Sequence, residues 1–366
     1  MSDADKRPLT AVILSIVIVA GLLAVYKFGF NPTRPPAPSD DDKENPDRST
    51  SGSSDGPLVV YCAHDAIFSK KVLDDFVTET GIDISVRYDS ELTKSLGLTE
   101  LIIKEKDNPR CDVFWNNQLL GTADLLKHDV LEPYKGPGWQ RIPDQYKDPN
   151  GAYTGFAARL RVYIVNTEKV EPNQGAIQKA IEADLSRVAI AKPMYGTTLT
   201  HYSVLWNLWG PHKIKQWHAD WRKRGVIEAD GNAKTKNLTA EGVCYVGFTD
   251  TDDYFVAKDD GKPVAMAPVR VGDNKVILIP NTVAIIKGTK KRERAQQLVD
   301  YLLSQQLELT LAKSKARQIP LGPVDESKLS DEVKQLKAYV KDGYSLVGLE
   351  KDRDECLQWL KLEYVK

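Results

Sequence analysis

Short runs of branched and aromatic residues, each followed by a stretch with apolar positions at helical spacing, recur from Leu58 onward, and this alternation restricts the fold more than any other feature. LVVYCA (58–63) leads into a helix carrying Phe68, Val72, Leu73, Phe76 and Val77 on one face and stopping at Gly81. IDISVRY (82–88) precedes a helix with Leu98, Leu101 and Ile102, and CDVFW (111–115) precedes one from Gln118 to His128. A second set follows: RVYIVN (161–166), RVAIAKP (187–193) with a helix from Thr198, and VCYVGFTD (243–250) with a short helix after it. KVILIPNTVAIIKG (275–288) reads as two consecutive strand segments, and Ala295, Leu298, Val299, Leu302 and Leu303 mark later core helices. Such repeats predict parallel α/β sheets with right-handed crossovers. Two sets predict two lobes, with the chain crossing near 156–161 and returning near 276–281.

The chain before Leu58 has a different character. Leu9 to Tyr26 is apolar or small throughout, with Lys6 and Arg7 before it and Lys27 after it. That length predicts a bilayer-spanning signal anchor, and the charge bias places the following residues outside the cytoplasm. Residues 31–56 are rich in Pro, Ser, Asp and Gly without apolar periodicity, so they predict a disordered tether. The expected organisation is a cytoplasmic tail (1–8), a transmembrane anchor (9–26) and a linker (27–57). Lobe 1 (58–157) and lobe 2 (158–275) follow, and residues 276–366 return to lobe 1 and add C-terminal helices. The segment 325–366 has no further assignment.

Fifty Lys and Arg against 51 Asp and Glu remove any global argument for a nucleic-acid partner. Cys62, Cys111, Cys244 and Cys356 show no metal-type spacing, and both disulfides and buried thiols stay open. P-loop, HExxH, GxSxG and GxGxxG elements are absent from the sequence, and Cys62 with His64 lacks an orienting third group, so no catalytic residues are expected.

In open parallel sheets ligands bind beyond the carboxyl ends of strands. That rule selects His64 and Asp65, then Asn116 and Asn117. It also selects Tyr195, Gly196, Thr197, Thr198 and His201, and finally Thr249, Asp250, Thr251, Asp252 and Asp253. Gly196 allows close approach, and the two threonines add hydroxyls at a helix start suited to an anion or a carbonyl. The three aspartates make an acceptor-rich mouth suited to a metal ion, an amine or a polyhydroxyl group.

LVVYCAHD, DDFVTETGIDISV, CDVFWNNQ, LLKHDVLEPY, AKPMYGTTLTH, GFTDTDD, IPNTVAIIKG and RAQQLVDYLLS occur in an order that resembles the extracellular solute-binding proteins of ABC importers, in their ferric-iron-type branch. The resemblance covers about residues 58–320. It implies a two-lobed type II periplasmic-binding (flytrap) fold that closes on a transported ligand and docks on a permease with its ATPase, as a monomer. His64 falls where iron-binding members have a histidine ligand, and Asn117 falls near a position that is Glu in some members. A metal set of His64, Asp250, Asp252 and Asp253 follows, with ferric-type iron as cargo, a synergistic anion beside it, and no resident cofactor. The family's adjacent tyrosine pair is replaced by Thr251-Asp252, which puts tyrosinate coordination in doubt and leaves Tyr195, Tyr202, Tyr245 and Tyr254 as other tyrosines to consider. A zwitterionic or amine-bearing solute, or a tethered sensor without transport, are the alternative readings.

Overall fold

The computed structural model describes residues 56–89 and 96–364. The expected anchor at 9–26 lies outside them; among the described residues no helix is long and apolar enough to cross a membrane. The chain runs through β1 (Leu58–Cys62), α1 (Ala66–Thr80), β2 (Ile84–Tyr88), α2 (Leu96–Lys104), β3 (Val113–Asn116), α3 (Leu119–Asp124), β4 (Leu131–Glu132), α4 (Pro137–Arg141) and β5 (Thr154–Asn166). It continues through α5 (Gln174–Ala183), β6 (Val188–Ala191), α6 (Gly196–Lys223), β7 (Ile227–Ala229), α7 (Asn232–Ala240), β8 (Val246–Asp250), α8 (Thr251–Asp259) and β9 (Val264–Pro268). The remainder is β10 (Arg270–Val271), β11 (Lys275–Val276), β12 (Leu278–Ile286), α9 (Arg292–Leu302), α10 (Gln305–Lys313), α11 (Asp331–Lys337) and α12 (Glu350–Tyr364).

The strands join in the order β2-β1-β3-β12-β5-β8-β6-β7, with β4 added on β12 and β9 on β5. The expected parallel pairings hold within each set, β1 with β2 and β3, and β6 with β7 and β8. The sheet as a whole is mixed, because β12 and β5 enter antiparallel at its centre. β5 belongs to both sets: residues 154–160 lie against β12, and residues 161–166 run between β8 and β9.

Alternation along the strands separates the core into two faces. Tyr61, Phe114, Val165 and Ile279 join one buried cluster, while Val60, Trp115, Ile164 and Leu278 join the other. Both faces are covered, which explains the unbroken apolar runs in the sequence. All four cysteines are buried.

The crossing contains a bulge. The β5–β12 register shifts between Pro280 and Asn281, and Ala157 takes φ 37°. The Asn281 side-chain amide donates to the Ala157 carbonyl, and the buried Glu308 carboxylate accepts the Ala157 N–H at 2.9 Å. α6 begins two residues earlier than the helix expected from Thr198. It is interrupted at Gly210 (φ 75°, ψ 161°), just before Pro211, whose missing N–H breaks the hydrogen-bond ladder. α12 packs along α6 with Cys356, Leu357, Trp359 and Leu360 buried, while its Arg353 pairs with Asp124 at the end of α3 (2.8 Å).

Candidate functional site

The carboxyl ends of β1, β3, β6 and β8 open on one cavity of about 360 Å³, with β5 at its back. From the first strand set come Asp65, with the first turn of α1, and Asn117. Tyr195, Gly196, Thr197 and Thr198 face it at the start of α6. Asp250, Asp252 and Asp253 face it around the start of α8.

The other candidates serve the walls instead. His64 is buried against Trp115 and Phe68, with Nε2 2.9 Å from the Gln318 amide nitrogen. Asn116 donates to Thr122 (3.1 Å) and accepts the Asn117 N–H (2.8 Å). His201 lies between Phe248 and Tyr202, and burial, followed by the nearby Arg161 charge, pushes its pKa down to about 3. The Thr249 hydroxyl donates to Asp253 (2.6 Å), and the Thr251 hydroxyl accepts the Leu160 N–H (3.2 Å).

Beneath the cavity lie two arginines on one face of β5. Arg161, fully buried, donates to Asp250 and Asn232 (3.1 Å each), to Thr198 (3.0 Å) and to the Phe248 carbonyl (3.3 Å). Asn232 in turn donates to the second Asp250 oxygen (3.0 Å) and to Thr197 (2.9 Å), so the Asp250 carboxylate is engaged on both oxygens. Arg159 donates to the Asn117 carbonyl and approaches Asp252 at 3.6 Å. Burial alone would lower the Arg159 pKa; Asp252, with Asp250, Asp65 and Asp253 behind it, outweighs that and raises it. Burial, and then Asp252, lift Asp253 to about 7.

This arrangement does not assemble the expected metal set. Among the described residues no three His, Cys, Asp or Glu side chains gather to hold a metal ion. His64 is turned into the core and Asp250 is neutralised by Arg161. Of the tyrosines considered, Tyr195 lines the cavity, whereas Tyr202 is hydrogen-bonded to His218 (3.0 Å) and Tyr254 is buried in the core.

The cavity is framed by helix starts. α6, α7 and α8 begin at its wall, and none of their N-cap residues, Tyr195, Gly231 and Asp250, makes a side-chain capping bond. Gln118, Asn173, Ser304 and Ser330 cap their helices, whereas Asp65, Gly136 and Lys291 also make no capping bond. Uncapped starts present backbone N–H groups and the positive end of the helix dipole to whatever the cavity holds, although at α8 the Asp252 carboxylate already accepts the Asp253 N–H (3.1 Å). The family described as bacterial extracellular solute-binding protein matches residues 71–341. The chain belongs to that family.

This solute-binding protein is 29% identical over 126 residues to the Fe(3+)-binding periplasmic protein of Serratia marcescens, a stretch covering 33% of this chain and 35% of the relative. Its fold matches apo ferric ion-binding protein A of Pasteurella haemolytica with a TM-score of 0.71 at 17% identity, over 84% of this chain and 97% of the other. It also matches the periplasmic binding protein AfuA of Actinobacillus pleuropneumoniae, solved with exogenous fructose-6-phosphate bound. That match has a TM-score of 0.65 at 21% identity, over 85% of this chain and 99% of the other. Family and neighbours are binding proteins, and the family match ends before α12.

Sequence reasoning missed Arg159, Arg161, Lys192, Asn232 and Lys236 in this solute-binding protein. One signal was available: Arg159 and Arg161 alternate with apolar residues in an otherwise buried strand, so both must point one way toward polar partners.

Proposed function

We propose that this protein is the extracytoplasmic receptor of an ABC importer and that its cavity takes a small solute bearing an oxyanion, of the phosphate-ester type. The observation that carries this reading is the set of three uncapped helix starts at one wall, backed by the Thr197 and Thr198 hydroxyls and by Lys192 and Lys236. Backbone N–H groups at helix starts suit phosphoryl oxygens, and the carboxylates around them suit hydroxyls on the rest of the solute. The fructose-6-phosphate bound to AfuA is a ligand of this chemistry. In this reading residues 9–26 anchor the protein, residues 27–57 tether it, and lobes 58–157 and 158–275 close about β5 and β12 before delivery to the permease.

A second reading is ferric iron with a synergistic anion at the helix starts. It is favoured by Asp65, Asp252 and Asp253 at the cavity wall and by the iron named for the Serratia relative.

Thermal unfolding of the full-length protein separates the two. Fructose 6-phosphate or inorganic phosphate at a hundred times its dissociation constant should stabilise the fold by about 2.7 kcal/mol. Ferric chloride without phosphate should have no such effect. Stabilisation by ferric iron alone, with none from the phosphates, would establish the metal reading in place of the first.

A further inference from the structure

Arg159 and Arg161 stand two residues apart on β5 and are both buried, yet their donors are used very differently. The two terminal nitrogens of Arg161 meet acceptors on β8, α6 and α7. Its guanidinium is part of the wall and does not line the cavity. Arg159 does line the cavity. One of its terminal nitrogens donates to the Asn117 carbonyl, and the other is 3.6 Å from Asp252, too far for a hydrogen bond. Its Nε is buried without a partner, as is the Nε of Arg161, so the difference between the two lies in the terminal nitrogens. A buried guanidinium with unused donors calls for an acceptor, and its planar fork is shaped for two oxygens of one carboxylate or phosphoryl group.

We propose that Arg159 anchors a second oxyanion of the solute, so that the solute is a compact molecule with one oxyanion at the starts of α6 and α7 and another at Arg159. The proposal rests on the oxyanion reading of the cavity. Arg161 marks the first position, because it holds Thr197, Thr198 and Asn232 in place. Two residues of strand separate the Cα atoms of the arginines by roughly 7 Å, which suits a short chain between two charged ends rather than a single phosphate. Asp252 is the counter-ion beside Arg159 in this arrangement, at 3.6 Å. It already accepts the Asp253 backbone N–H at 3.1 Å and keeps that bond when the solute takes the Arg159 fork.

The test is titration calorimetry on the full-length protein with 3-phosphonopropionate and propylphosphonate, which share a phosphonate and a chain length and differ in the terminal carboxylate. The carboxylate should tighten binding by roughly thirtyfold in the wild type, as expected for a buried, hydrogen-bonded charge pair. Arg159→Met should shrink that ratio to within about threefold, and Arg159→Lys, which keeps the charge but not the fork, should fall between. Equal affinities in the wild type, or a ratio that survives Arg159→Met, would overturn the proposal. If neither phosphonate nor inorganic phosphate binds, the oxyanion reading itself falls and takes the proposal with it. If the phosphonates bind equally, only the two-ended solute falls. Should Arg159→Met fail to fold, the wild-type ratio and Arg159→Lys decide.

Discussion

Arg161 and Asp250 face each other at 3.1 Å, both almost wholly buried, and a buried pair of this kind is costly to break from one side. Arg161→Met should lose about 3–5 kcal/mol in denaturant unfolding, because Asp250 is left charged and buried with Asn232 as its remaining donor. Asp253 behaves in the opposite sense. Its carboxyl ionises near 3.8 in the unfolded chain and near 7 when folded, owing to burial and to Asp252, with smaller contributions from Asp250 and Asp65 and an opposing bond from Thr249. Between those values the folded state holds the extra proton, so this group makes stability fall as pH rises from about 4 to about 7. Asp253→Asn should melt with the wild type near pH 4 and above it at pH 8; a constant offset at all pH values would refute the assignment. The position of Asp253 at the cavity was legible in the sequence, because strand-end loops carry sites in sheets of this class. Its charge environment was not, because Arg159 and Arg161 sit about ninety residues earlier on another strand.

At the scale of elements, α6 begins at the cavity wall and its first residue is glycine. Gly196 has φ 53°, and a Cβ built on it meets nothing within 4 Å, so Gly196→Ala carries only backbone strain. That should cost about 1–2 kcal/mol in thermal unfolding without filling the cavity. A much larger loss would mean that the Cβ meets something in the folded protein. The strands of both sets were readable from their apolar runs, and so was the segment 275–288. Its insertion between β3 and β5 was not readable, since a run buried on both faces looks the same whether it pairs parallel or antiparallel. The length of α6 was also hidden, because Gly210-Pro211 reads as a stop although the helix resumes beyond it.

Across the whole molecule, α12 touches both strand sets. Trp359 packs on Trp206 and His218 from α6, while Arg353, Asp354 and Lys361 reach Asp124, Lys127 and Glu100 from the first set. Arg353→Met should therefore lower stability by about 3 kcal/mol, as for other broken buried pairs, and small-angle scattering should show whether the two sets then move apart. An unchanged melting curve would reduce α12 to a surface addition. The place of β12 has a further consequence, for the order in which the molecule is made. β3 leaves the ribosome roughly 160 residues before the strand that will pair with its open edge. At about 5–20 residues per second that interval is on the order of 8–30 s, during which the edge stands as an aggregation hazard unless something else holds it. The part of the molecule synthesised first is thus among the last to be completed.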